Sequence, residues 1–190
     1  MGVSRELAPR AASSRRATTG RRMVEIAAGA LVVAVAAQVA VPVPLSPVPM
    51  TLQPLAVLVV GSLLGPAGGL AALVTYLALG IAGLPVFAGG SSGLLHIMGP
   101  TGGYLLAFPL AAAATGALAQ SAGVLRTLLA CAVGMAIIHA GGLAQLALLG
   151  GDPSTAFRMG FVPFFTGDLL KVGLAAAVIL ALRSRVRGAN

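Results

Sequence analysis

Apolar residues run along this chain in long unbroken blocks, and the polar positions gather in the short clusters between them. The blocks fall at about 24–41, 52–65, 67–84, 103–120, 126–149 and 164–183. None shows the period-two alternation of a half-buried strand or a barrel wall, so each predicts a helix. A crossing of the hydrocarbon layer takes about 20 apolar residues, and backbone exposed to lipid must satisfy its own hydrogen bonds. The pattern therefore predicts an all-α membrane protein with six transmembrane helices. The second block is short, which leaves a tilted, partly re-entrant or backward-extended helix open. The breaks carry turn chemistry: "VPVPLSPVP" (41–49), "GPAGG" (65–69), the long Gly-rich connection 83–103, "QSAG" (120–123) and "GGDPSTAFRMGFVP" (150–163).

Composition sharpens this picture. Of 190 residues 58% are hydrophobic and 8% charged, against roughly 25% charged in a soluble domain. Between Glu25 and Arg126 there is no Asp, Glu, Lys or Arg. A net charge of +8 would suggest nucleic acid in a soluble chain, but here the arginines cluster at the two ends. Six precede the first block, three follow the last, Arg126 borders the fourth break and Arg158 stands in the fifth. Six spans with a cytoplasmic N-terminus put ten arginines inside and Arg158 outside, as the positive-inside rule requires. The expected partner of the surface is thus membrane lipid and not nucleic acid. The expected organisation is a disordered basic N-terminus (1–22), a six-helix membrane domain (23–185) and a cytoplasmic tail (186–190). The first block also has features of a secretory, twin-arginine or transit signal. Its removal would leave an odd span count, so the expectation is that it stays.

Two charges break the last apolar block. Asp168 and Lys171 lie three apart on one helix and share a face. One reading is an internal ion pair that serves packing; the other is a ligand site. Near the outer end of a span, a carboxylate and an ammonium suit a small head group with both N–H donors and an oxygen, such as a cyclic urea or amide. The Gly-rich loop beside it brings backbone groups, Phe87, Ser91, Ser92, Gly99, Thr101, Gly102 and Tyr104. Its length favours a lid or binding element over a bare connector. Gln53, at the start of the second block, is a helix-end hydrogen bonder or a site residue. His96 and His139 lack a Cys or acidic partner at metal-ligand spacing, so packing or hydrogen bonding is expected, with no metal and no cofactor. Cys131, the lone cysteine, reads as a small buried hydrophobe. No phosphate-binding G-x-x-x-x-G-K-[ST] loop occurs, so the chain cannot hydrolyse ATP alone. An intramembrane enzyme using Asp168 and Lys171 as acid and base is the alternative from another class. It is disfavoured, since no Ser–Lys pair, second Asp or HExxH accompanies them.

The order "VPVPLSPVPMTLQPLAVLVVGSLLGP", "GLPVFAGGSSGLLHIMGPTGGYLLAF", "PFFTGDLLK" resembles the BioY family, the biotin-binding S components of energy-coupling factor transporters, over residues 24–183. The resemblance implies six helices, capture of biotin from outside, no enzymatic activity, and partnership with a membrane scaffold subunit and two cytoplasmic ATPases. An S component for another small vitamin, or a stand-alone carrier, is the rival within transport. Carried onto this sequence, the ligand-binding set is Gln53, Tyr76, Phe87, Ser91, Ser92, Gly99, Thr101, Gly102, Tyr104, Asp168 and Lys171. Members often carry an arginine where this chain has Ser91 and Ser92. That departure leaves backbone amides, hydroxyls or Lys171 to receive the biotin carboxylate. The small-residue stripe expected to meet the scaffold falls on Ala30, Ala34, Ala36 and Ala40, which are paired at a spacing of four.

Overall fold

The computed structural model of the chain describes residues 7–120 and 123–188, with side chains for 19–120 and 123–185. Its elements are α1 (Leu7–Gln38), β1 (Ala40–Val41), β2 (Met50–Thr51), α2 (Gln53–Ile81), a 3-10 turn at Ala88–Gly90, α3 (Leu94–Met98), α4 (Gly102–Leu118), α5 (Val124–Gly150), α6 (Pro153–Gly160) and α7 (Phe165–Gly188). Among the described residues, three stretches are long and apolar enough to cross a membrane: Gln53–Ile81, Val124–Gly150 and Phe165–Arg185. Gly102–Leu118 is a shorter apolar helix.

The span α2 is two arms and not one rod. A straight helix would hold Gln53 and Tyr76 about 34 Å apart, yet Gln53 Nε2 donates to Tyr76 Oη at 2.6 Å. The chain reverses at Gly65, whose φ of 72° with ψ of 179° lies where side chains are strained. Pro66 follows and starts the second arm, its missing N–H costing nothing at a helix start. The break read from "GPAGG" is thus present, and the returning arm packs so closely that a Cβ on Gly69 would meet the Cα of Gly61.

Small residues inside and large ones outside characterise the packing. A Cβ on Gly61 would overlap the Ala112 backbone, and one on Gly116 would run into the turn at Gly65 and Pro66, so α4 lies directly against the α2 hairpin. Gly29 of α1 abuts Val60, Leu64 and Ala72 of both α2 arms. Leu63, Leu70, Val74, Leu129, Leu174 and Val178 face outward, the inverse of a soluble core, where close backbone approach replaces a hydrophobic drive between helices. The main cluster joins α1, both α2 arms and α4; a second unites Leu58, Cys131, Met135, Ala175, Ala176 and Ile179 from α2, α5 and α7.

The structure departs from the sequence reading at several places. Helix α1 already runs at Leu7, where an unstructured basic segment was expected; its Ala, Leu and Arg content is helix-favouring, and residues 1–6 lie outside the described part. The Pro-rich connection holds a two-residue antiparallel ladder, Ala40 opposite Thr51 and Val41 opposite Met50. The break 150–163 holds a helix, α6: Asp152 caps it by accepting from the Ser154 and Thr155 amides, and Pro153 occupies its first turn. Ser121 and Ala122 of the fourth break lie outside the described residues. The stripe on α1 is also redistributed. Ala30 is 2% exposed and is used up in packing within this chain, which removes it from any outward face. Ala34 and Ala36 are half-buried against the same cluster, and Ala40 lies beyond the helix in β1.

Candidate functional site

At one end of the bundle the start of α7, the α6–α7 connection, α4, α5, the β ladder and the loop between α2 and α4 surround a cavity. Its walls include Val48, Thr51, Gln53, His96, Thr101, Tyr104, Phe108, Met135, Ile138, His139, Phe164, Asp168 and Lys171. The unfilled space is about 550 Å³, counted out to solvent.

The polar floor is built by α5 and α7. Lys171 Nζ donates to Asp168 Oδ1 at 2.8 Å, as the three-residue spacing allows. The second oxygen, Asp168 Oδ2, lies 2.7 Å from His139 Nε2, and all three side chains are about nine-tenths buried. An ionised carboxylate only accepts, so Nε2 carries a proton. Asp168 thus has a donor on each oxygen and one further lone pair on each to offer. Removing one member of such a set strands a charge in an apolar wall, whereas the set together roughly offsets its own desolvation.

Aromatic rings hold the floor in place. The His139 ring meets Tyr104 edge-on at 6.0 Å and Phe161 at 5.0 Å. Tyr104 sits in a socket of glycines, since a Cβ on Gly142 would overlap its ring and one on Gly160 would crowd its hydroxyl. That hydroxyl donates to the Gly160 carbonyl at 2.8 Å, which ties α4 to the end of α6.

A hydrogen-bond chain begins in the opposite wall and runs on behind it. Thr51 Oγ1 donates to Gln53 Oε1 (3.0 Å), Gln53 donates to Tyr76 (2.6 Å), and Tyr76 donates to the Val86 carbonyl (3.1 Å). The loop is tied down elsewhere by Gln38, which donates to the Phe87 carbonyl, and by Gln145, which donates to the carbonyls of Ile97 and Gly99. Phe87 is fully buried, stacked on His96 at 5.2 Å and edge-on to Tyr76 at 5.6 Å, over a glycine, Gly80, whose Cβ would overlap its ring. His96 reaches Thr101 Oγ1 at 3.1 Å, and burial disfavours its charged form.

Of the residues singled out in the sequence, Gln53, Thr101, Tyr104, Asp168 and Lys171 line the cavity together. Tyr76, Phe87, Ser91, Ser92, Gly99 and Gly102 are not among its walls. Tyr76 and Phe87 pack behind it; Ser91 donates to the Ala88 carbonyl; Ser92 is half-buried in the loop; Gly99 accepts from Gln145; Gly102 opens α4 against the Ile97 carbonyl. His139, read as a packing or hydrogen-bonding residue, finds its hydrogen-bond partner in Asp168, 29 positions away and beyond any spacing rule. No group of three or more His, Cys, Asp or Glu suited to a metal occurs among the described residues.

This geometry accompanies clear relationships. The chain is 42% identical to a probable biotin transporter BioY of Pyrococcus horikoshii over 149 residues, covering 78% of this chain and 86% of that one. It is 42% identical to the biotin transporter BioY of Thermotoga maritima over 142 residues, covering 74% and 84%. Among solved structures it is similar to the S-component for biotin from an ECF-type ABC transporter, with a TM-score of 0.81, 25% identity, and coverage of 88% of this chain and 93% of that one. The model of the BioY family matches residues 10–188, and the chain belongs to that family.

Proposed function

We propose that this chain is the substrate-binding membrane subunit of a biotin uptake system, an energy-coupling factor S component that captures biotin from outside. The observation that carries the reading is the buried Asp168–Lys171 pair in the cavity wall, in a chain whose relatives are named biotin transporters and not enzymes. Asp168 accepts a ureido N–H and Lys171 donates to the ureido oxygen. The apolar walls of Val48, Phe108, Met135, Ile138 and Phe164 take the thioether ring and the aliphatic tail. Thr101, the backbone amides of the loop and the hydroxyls of Ser91 and Ser92 are the candidates for the carboxylate, with Gly99 and Gly102 shaping the loop. Movement inward is driven by a scaffold subunit and two ATPases, since this chain has no nucleotide-binding loop.

In this reading α1, the two arms of α2, α4, α5 and α7 make six crossings of the cell membrane. Both termini are cytoplasmic, on the side of Arg21, Arg22, Arg126, Arg183 and Arg185. A cysteine in place of Gly188, probed on intact cells with an impermeant thiol reagent, should stay unlabelled; Cys131 is buried and contributes no background. The functional test is equilibrium binding of labelled biotin to the purified chain, with melting followed in parallel. Bound ligand raises stability by RT ln(1 + [L]/Kd), so biotin should shift the melting point and riboflavin and thiamine should not. A chain stabilised by one of those instead would reassign the vitamin.

A further inference from the structure

Resting on the biotin reading, we propose that the Thr101 hydroxyl donates to the ligand's carboxylate and that His96, behind that hydroxyl, couples capture to a proton, so that biotin is held more tightly as pH falls. Counting hydroxyl protons identifies the seat. Among the described residues, three hydroxyls line the cavity, on Thr51, Thr101 and Tyr104. Thr51 gives its proton to Gln53 Oε1, and Tyr104 gives its own to the Gly160 carbonyl. Thr101 stands at the N-cap of α4 without capping it, and its hydroxyl meets His96 Nε2 at 3.1 Å. Ser91 decides which of those two donates. Its proton goes to the Ala88 carbonyl at 2.7 Å, so toward His96 Nε2, 3.4 Å away, Ser91 Oγ only accepts. An unprotonated Nε2 would set its lone pair against that oxygen. Nε2 therefore carries a proton, placed between the two hydroxyl oxygens. Thr101 accepts it and keeps its own proton, in the cavity wall, for a ligand oxygen.

A carboxylate gains most from such a donor, since a hydrogen bond to an ionised acceptor is about twice as strong as a neutral one. Asp168 and Lys171 serve the urea, which leaves this seat for the other end of the molecule. The His96 ring touches only neutral groups: Phe87, on which it stacks at 5.2 Å, Ser91 and Thr101. No Asp, Glu, Lys or Arg occurs between Glu25 and Arg126. Near the loop, α2 and α4 thus present Tyr76 and Tyr104 as their titratable groups, while α5 and α7 bring His139, Asp168 and Lys171, which bond to one another. With the seat empty, burial disfavours the imidazolium. A bound carboxylate favours it. A proton taken up with the ligand must strengthen the ligand by the same factor. Because the histidine pKa is higher in the bound state than in the free one, affinity rises as pH falls through that interval, by at most about tenfold per pH unit for one proton.

The test compares biotin with its neutral primary amide, by equilibrium binding to the purified chain at about pH 7.5 and about pH 5.5, a span that brackets the ordinary histidine value and leaves a carboxylic acid ionised. The parent should bind biotin about 3- to 10-fold more tightly at the lower pH, and the amide should show no such gain. His96→Gln, which keeps an amide donor but cannot charge, should flatten the biotin profile. Thr101→Val keeps the shape and lacks the hydroxyl; it should weaken biotin about tenfold or more and the amide by less. An equal pH gain for biotin and the amide would place the titrating group at the urea end, beside His139, and overturn the proposal. So would a monodisperse His96→Gln protein that keeps the gain, or a Thr101→Val protein with parental affinity for biotin. If either variant does not elute as a single species, the parent's two profiles decide. A parent chain that binds neither ligand would instead overturn the biotin reading itself.

Discussion

Two of the cations on helix α7, Lys171 and Arg183, lie twelve positions and about 18 Å apart, and they are satisfied in opposite ways. Lys171 faces a carboxylate inside a cavity wall. Arg183, half-buried at the other end, donates to neutral oxygens: the Ala119 carbonyl, the Ser62 carbonyl at 2.9 Å and the Ser62 hydroxyl at 3.0 Å. Those carbonyls belong to the final turn of α4 and to the end of the first α2 arm, where intrahelical partners run out. Arg126 adds a third such bond, to Leu118 at 3.0 Å. Arg183 thus works as a shared cap that joins three elements, while Lys171 sits in a set with lone pairs to spare. A cation held by neutral helix ends serves the frame, and one held by a shareable carboxylate can serve a ligand.

The sharpest way to break this contrast is to remove each charge. Asp168→Asn and Lys171→Met should each weaken biotin binding by about one to two decades, from a lost charge-assisted bond of about 1.5–3 kcal/mol. The double variant should be at least as weak. A folded double variant with parental affinity would mean that the pair serves packing alone. The matching change at the other end, Arg183→Met, should lower the melting point by about 5 °C, from roughly 2 kcal/mol of lost capping. Biotin affinity should stay within about threefold, and a larger loss would erase the distinction between the two ends.

A smaller effect is expected where the loop meets the frame. Gln145→Leu strips the Ile97 and Gly99 carbonyls of their donor. It should speed biotin release by several-fold, with little change in melting point, when followed by dissociation of labelled ligand. The smallest effect concerns Asp152, fully exposed, whose carboxyl is held down to about 2 by hydrogen bonds, first from the Thr155 hydroxyl and then from Ser154. A depressed folded-state pKa means that the cap contributes above about pH 4 and is lost as pH falls toward 2. Asp152→Ala should abolish that part of the acid dependence of melting and leave biotin affinity unchanged.

Much of this was legible in the chain itself. The apolar blocks, the reversal at Gly65–Pro66 and the pairing of Asp168 with Lys171 follow from local rules, because the residues concerned are neighbours in sequence. The cap of α6 was also written in plain view, as Asp152–Pro153 followed by Ser154 and Thr155, but a Gly-flanked polar run reads more readily as a turn. What local rules could not reach are contacts between distant segments. His139 finds Asp168 29 positions away, Gln145 finds the loop 46 to 48 away, and Gln38 finds Phe87 49 away. A polar side chain in the middle of an apolar block was the available signal for His139 and Gln145, since lipid would not tolerate either unpartnered. Ala30 illustrates the reverse case: a spacing that suits a second protein suits the chain's own α2 hairpin equally well.

Gln38 closes the last turn of α1 with one amide nitrogen that reaches two carbonyls, Ala34 within its own helix at 3.0 Å and Phe87 in the loop at 3.3 Å. The two N–H groups of that amide thus link the half-buried stripe of Ala34 and Ala36 to the loop over the cavity. Thermodynamic linkage then constrains any protein that docks on that stripe. If docking changes the affinity for ligand by some factor, ligand must change the affinity for docking by the same factor. A loaded and an empty subunit would consequently compete unequally for one shared partner, with the hydrogen bond from Gln38 as part of what sets the ratio.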